Sequence, residues 1–223
     1  MFSEINKNLT FESFISIDTH LNEKKIAQSF SNGELDEKVI FITSKCGNGA
    51  THLASAIINE IKYNTHECIQ LYYEKYLLLN SDYDISKLFD KLLNCKKVIL
   101  IDSFFNKDME KERKILDVFV QSKAKIIITG SYKVNLQINH LKIELVNVHS
   151  QIERQLIIEN FIKRNQSKLP ISVVKQISKI SFESVRELQN FVLILVLKKQ
   201  LENKFKIDKD SINHLLGVIY KNV

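Results

Sequence analysis

Hydrophobic and polar positions along the chain fall into two regimes. From residue 19 to 148, short apolar runs alternate with stretches of helical spacing. "THLNEKKIAQSF" (19–30) has apolar residues at 21, 26, 27 and 30, with Gly33 just beyond as a stop signal, and predicts a helix. "KVIFIT" (38–43), "CIQLYY" (68–73), "KVILID" (97–102), "AKIIITG" (124–130) and "LKIELVNV" (141–148) predict strands. Between them, "ATHLASAIINEIK" (50–62), "ISKLFDKLL" (85–93) and "MEKERKILDVFVQS" (109–122) predict helices. In the first of these, Leu53, Ala56, Ile57 and Ile61 form one stripe. After residue 150 the pattern changes. "SQIERQLIIENFIKRN", "ISVVKQISKI", "SFESVRELQNFVLILVLKKQLE" and "KDSINHLLGVIYKN" all read as helical, with no strand between them. Strands alternating with helices imply a parallel sheet covered on both faces. The expected fold class is therefore an α/β domain followed by a small all-α domain.

Composition narrows this only slightly. The 223 residues suit one large domain or a domain with a small appendage. With 44% hydrophobic and 26% charged residues, the chain can bury a core and keep a solvated surface. No apolar run approaches the length of a transmembrane helix. "MFSEINKNLT" lacks the basic-then-apolar pattern of a secretory signal, so a cytoplasmic protein without membrane contact is expected. Cys46, Cys68 and Cys95 have no metal-ligand spacing and read as reduced thiols. The six histidines are scattered and support neither a hydrolase triad nor a metal enzyme.

Charge is more informative. Residues 1–150 carry 19 basic and 19 acidic side chains, whereas residues 151–223 carry 13 and 7. The whole excess of +6 lies in the helical part. It fits either a solvated lysine-rich face or contact with an anionic partner, including non-specific DNA through Lys198, Lys199 and Lys204.

The octet "SKCGNGAT" (44–51) lies between a predicted strand and a predicted helix, where a phosphate-binding loop belongs. Gly47 and Gly49 suit the backbone angles that turn amides inward, and the helix start favours an anion. Thr51 can offer its hydroxyl to Mg²⁺. Two positions depart from G-x-x-x-x-G-K-[ST]: Ser44 replaces the first glycine and Ala50 replaces the lysine. A charge-assisted hydrogen bond is worth about 1.5–3 kcal/mol, so loss of that lysine should weaken phosphate binding by about ten- to a hundredfold. Hydrolysis should suffer more, because that charge matters most in the transition state. The strand "VILID" ends in Asp102, where a P-loop protein keeps its magnesium-side acid. The candidate nucleotide residues are thus Gly47, Asn48, Gly49, Ala50, Thr51 and His52, with Thr51 and Asp102 on the metal side.

In their order and spacing these features resemble the AAA+ module of the DnaA/Hda family. "LTFESFI" (9–15), "NGATHLASAI" (48–57), "VILIDSFF" (98–105), "KIIITGSYKVNLQI" (125–138) and "SKLPISVVKQISKISFESVRELQNFV" (167–192) carry the likeness. The resemblance implies an AAA+ P-loop NTPase-like α/β domain over residues 1–155 and a helical lid over 156–223. It also implies that Asp102 ends the Walker B strand and that Arg186, in "VREL", is the sensor 2 arginine reaching for nucleotide. The chain stops after the lid-like helices, which is the Hda layout, so sequence-specific reading of duplex DNA is not expected.

Three parts of the family's hydrolytic set are absent. Ala50 replaces the lysine, Ser103 the second Walker B acid, and "NLQINHLKI" (135–143) has no arginine to serve as a finger. The resemblance therefore implies a role in replication initiation or its regulation by contact with DnaA or another replication protein. ATP or ADP with Mg²⁺ would bind weakly, and hydrolysis would be weak or nil. The alternatives are an ATP-binding regulator with residual ATPase activity, or a non-specific DNA binder using the basic lid.

Overall fold

The computed structural model of the chain describes residues 5–65, 69–72, 98–104, 116–117, 120–121, 123–131, 138–147, 149–201 and 207–220. The predicted helix 85–93, Cys68, Cys95 and Lys204 lie outside the described residues, as does most of the predicted helix 109–122. Of that last segment, 116–117 and 120–121 are described and are helical.

The first part runs α1 (Leu21–Asn32), β1 (Val39–Ser44), α2 (Ala50–Thr65), β2 (Ile69–Tyr72), β3 (Val98–Phe104), β4 (Lys125–Gly130) and β5 (Leu141–Leu145). The five strands form one sheet in the order β2-β3-β4-β1-β5, and every pairing is parallel. The all-apolar runs explain this arrangement, since strands covered on both faces need no polar alternation. Val39–Ser44 is buried along its whole length and sits between β4 and β5. Leu53, Ala54, Ile57 and Ile58 of α2 join Ile40, Ile42, Leu100 and Ile127 of the sheet in one core cluster. The last strand ends at Leu145, short of the expected 148.

Among the described residues the second part has helices and no strand: α3 (Gln151–Arg164), α4 (Ile171–Ser178), α5 (Val185–Leu201) and α6 (Lys209–Tyr220). Pro170, the only proline, stands at the N-cap of α4, where a missing N–H costs nothing. Val173, Val174, Ile177, Leu188, Phe191, Val192 and Leu195 make this part's own core.

The chain divides into two compact units. One comprises Met1–Phe14 and His20–Val146, the other Ile15–Thr19 and Asn147–Val223. The expected boundary at 155/156 falls inside α3, whereas the units part at 146/147. Sequence periodicity also gives no hint that five residues near the N-terminus belong with the helices. Their anchor is Glu153, which is fully buried. Its Oε1 accepts the backbone N–H groups of Ile17, Asp18 and Thr19 at 3.0, 3.1 and 2.9 Å. Its Oε2 accepts the N–H of Ser150 at 3.1 Å, while Ser150 Oγ accepts the N–H of Glu153 at 3.2 Å. That reciprocal pair is a capping box at the start of α3.

Candidate functional site

The predicted phosphate loop links β1 to α2. Gly47 and Gly49 have φ of 89° and 96°, a region that favours glycine, so the loop's sharp course depends on both. A Cβ on Gly49 would also come within 3.1 Å of Phe14 Cε2. Between them, Asn48 is only 2% exposed. Its backbone N–H donates to the Lys45 carbonyl at 3.2 Å. Among the described residues, neither its Oδ1 nor its Nδ2 has a hydrogen-bond partner. The first bond of α2 is Leu53 N–H to Gly49 O at 2.8 Å, and the helix has no acidic residue in its first turn. The positive end of α2 thus has no carboxylate of its own to offset it.

Ala50 is buried within the apolar cluster, so the position that would hold the lysine presents a methyl group to the core. Lys45 and Cys46 are exposed. His52 Nε2 lies 3.0 Å from Ser13 Oγ and 3.2 Å from the Thr10 carbonyl, and its ring meets Phe14 edge-on. Asn59 Nδ2 donates to the carbonyls of Asn6 and Leu9. These contacts tie residues 6–14 along α2. They give His52, grouped above with the nucleotide residues, a hydrogen-bonding role toward the N-terminal segment.

Two residues 51 positions apart, both expected on the metal side, meet through a hydrogen bond. Thr51 Oγ1 donates to Asp102 Oδ1 at 3.0 Å. Asp102 is 6% exposed and lies where β3 departs from regular pairing with β4, between Ile101 and Phe104. A bulge re-aims side chains at a strand end. A second donor was not foreseen: Thr129 Oγ1 reaches the same Oδ1 at 2.6 Å. Its trace in the sequence is a buried hydroxyl residue in the otherwise apolar strand "KIIITG". Ser131, beyond that strand, is half-buried.

Among the described residues both hydrogen bonds to Asp102 go to Oδ1. Among the described residues Oδ2 accepts no hydrogen bond, an arrangement compatible with Mg²⁺ held by Thr51 and Asp102. No group of three or more His, Cys, Asp or Glu that could hold a metal alone occurs among the described residues. Arg186 belongs to the helical unit, exposed in the first turn of α5. Lys199 is exposed and Lys198 half-buried in the last turn of the same helix.

The chain superposes on domain III of the Thermotoga maritima replication initiation protein DnaA with a TM-score of 0.82. The identity is 19%, over 96% of this chain and 98% of that one. By fold the chain is similar to DnaA domain III. AMPPCP-bound DnaA from Aquifex aeolicus matches with a TM-score of 0.68 and 18% identity, over 88% of this chain and 67% of that one. In sequence, the chromosomal replication initiator protein DnaA of Bacteroides thetaiotaomicron is 23% identical over 243 aligned residues, covering 97% of this chain. The chain spans about half the length of that relative, 51%. No family model matches the chain. Among the described residues, no helix is long and apolar enough to cross a membrane.

Proposed function

We propose that this DnaA-like module serves replication initiation or its regulation through contact with DnaA or another replication protein. Its nucleotide site binds ATP or ADP weakly and turns over little or none. The observation that carries this reading is the buried Ala50 methyl in an otherwise formed cradle. Gly47, Asn48, Gly49 and the start of α2 supply amides and a dipole for phosphate. Thr51 and Asp102 would hold Mg²⁺, which would neutralise charge on the outer phosphates. No lysine adds its charge there. Ser103 stands where the second Walker B acid would position water, and residues 135–143 contain no arginine. One loss can be compensated from elsewhere, but three separate losses oppose turnover.

The assembled Thr51–Asp102–Thr129 cluster favours a second reading, an ATP-binding regulator with residual ATPase activity. Phosphate release from ATP with Mg²⁺ separates the two. Under the first reading, wild type and Asp102→Ala both stay at background, and both variants bind purified DnaA equally in sedimentation. Steady turnover that Asp102→Ala abolishes would overturn the first reading in favour of the second.

A further inference from the structure

The helical unit contains a cavity of about 200 Å³, lined in part by Val185 and Leu188, which flank Arg186 in "VREL". Arg154 of α3 lines it, together with Asn147 and His149 from the preceding segment and Phe182 and Ser184 from the turn into α5. Arg154 is half-buried. Its Nε donates to the Ser178 carbonyl at 2.7 Å, and Nη1 donates to the carbonyl of His149. Both acceptors are neutral. Of the five N–H groups of a guanidinium, these bonds take two. Among the described residues no carboxylate comes within ion-pair distance of Arg154. A partly desolvated cation is costly without a counter-charge.

The start of α5 lies at the same cavity. Ser184 caps α5: its Oγ accepts the N–H of Glu187 and its carbonyl accepts that of Leu188. The positive end of this 17-residue helix is partly offset by Glu187 in its first turn, so Arg154 supplies the main positive charge at the cavity. Asn147 Nδ2 donates to the Phe182 carbonyl at 2.8 Å and fixes the opposite wall. Two carboxylates near the cavity are hydrogen-bonded to backbone amides, and Glu153 Oε2 also lies 3.8 Å from His149 Nδ1. Glu153 is fully buried on backbone amides, and Glu187 accepts the N–H of Glu183.

Size selects the ligand. The cavity falls below the range of about 300–1,000 Å³ for drug-sized ligands. It is several times the roughly 30 Å³ share of one water. A small oxyanion fits within it. Phe182 and Leu188 give one side an apolar wall, which leaves room for a short carbon substituent. We infer that this cavity binds a small phosphate, either inorganic phosphate or a small phosphate monoester, with Arg154 as the main charge partner.

The test is amide and guanidinium NMR of the full ¹⁵N-labelled chain at constant ionic strength. One arm titrates inorganic phosphate, a second titrates glycerol 3-phosphate, and a third adds chloride alone. The expected result is saturable shifts at Arg154 Nε, His149 and residues 181–188 in the phosphate arms only. Tighter binding of glycerol 3-phosphate than of phosphate assigns the site to a monoester; the reverse assigns it to the free ion. Arg154→Gln should weaken binding by about ten- to a hundredfold, and Arg154→Lys should keep part of it. Shifts confined to residues 47–51, or shifts that never saturate, overturn the inference. So does wild-type affinity in Arg154→Gln. The wild-type arms decide the matter even if Arg154→Gln fails to fold.

Discussion

Two helix starts in this molecule solve the same electrostatic problem in opposite ways. The first turn of α3 carries its own anion. Glu153 closes a capping box with Ser150 and also takes three consecutive amides from Ile17–Thr19. The first turn of α2 has no acidic residue, and the Asp102 carboxylate beside it bonds the Thr51 hydroxyl rather than the helix amides. This turn leaves a loop with two left-handed glycines and begins with Ala50 and Thr51. The buried Asn48 side chain beside it has no hydrogen-bond partner among the described residues. Where the chain fills the positive end itself, the helix start is structural. Where it leaves that end open, an external anion can complete it. The contrast separates a helix N-terminus that holds the fold together from one that is a candidate site.

The strongest way to break this contrast is to empty the filled end. Glu153→Ala removes the acceptor of four backbone N–H groups, those of Ile17, Asp18, Thr19 and Ser150. A buried donor left without a partner costs about 1–3 kcal/mol, and water can refill only part of the gap, so a loss of about 3–5 kcal/mol is expected. Urea unfolding followed by helix circular dichroism would measure it. A loss below about 1 kcal/mol, the net worth of a single hydrogen bond, would mean that the amides rehydrate freely and that the two helix ends are equivalent.

Acid should erase the same contribution more gently. Burial opposes ionisation of Glu153. The hydrogen bonds from Thr19, Ile17 and Ser150 outweigh it and hold the carboxyl at about 2, against an ordinary 4.5. A carboxyl depressed in the folded state contributes its full stability above its ordinary value. That contribution is lost as pH falls from about 4.5 to about 2. A shift of this size corresponds to about 3 kcal/mol. The stability gap between wild type and Glu153→Gln should therefore narrow across that window and stay constant above it. A gap that is flat down to pH 2 would show that the carboxylate charge contributes nothing.

The sequence makes these two ends unequally legible. Strands β1, β3 and β4 are readable because each is a near-continuous apolar run, the mark of a strand covered on both faces. The glycine loop between β1 and α2 is readable because its glycine spacing and flanking elements are local. The Thr51–Asp102 contact follows from the loop and strand motifs taken together. Thr129 is not readable in the same way. Its hydroxyl reaches Asp102 only because β4 lies beside β3, and strand order is not written in periodicity. Glu153 is less legible still. Its partners stand 134 to 136 residues away, and they are backbone amides that carry no side-chain signature. Ser150 and Glu153 have capping-box spacing, but nothing local marks the segment folded onto Oε1.

The smallest expected effect tests the open end. Ala50→Lys restores the charge that the loop lacks. The site is buried in the apolar cluster, so the lysine stem must lie along that surface and carry its ammonium out toward the loop. One charge-assisted hydrogen bond to phosphate is worth about 1.5–3 kcal/mol, so calorimetry with ATP or ADP and Mg²⁺ should show affinity rising about ten- to a hundredfold. Hydrolysis should rise little, because Ser103 and the arginine-free 135–143 segment are unchanged. Unchanged affinity in a folded variant would mean that the start of α2 is not a phosphate site, and that Gly47 and Gly49 serve only to turn the chain. Full turnover from this one change would mean that the other two losses are compensated within the chain, and that Ala50 alone keeps the module from working as an ATPase.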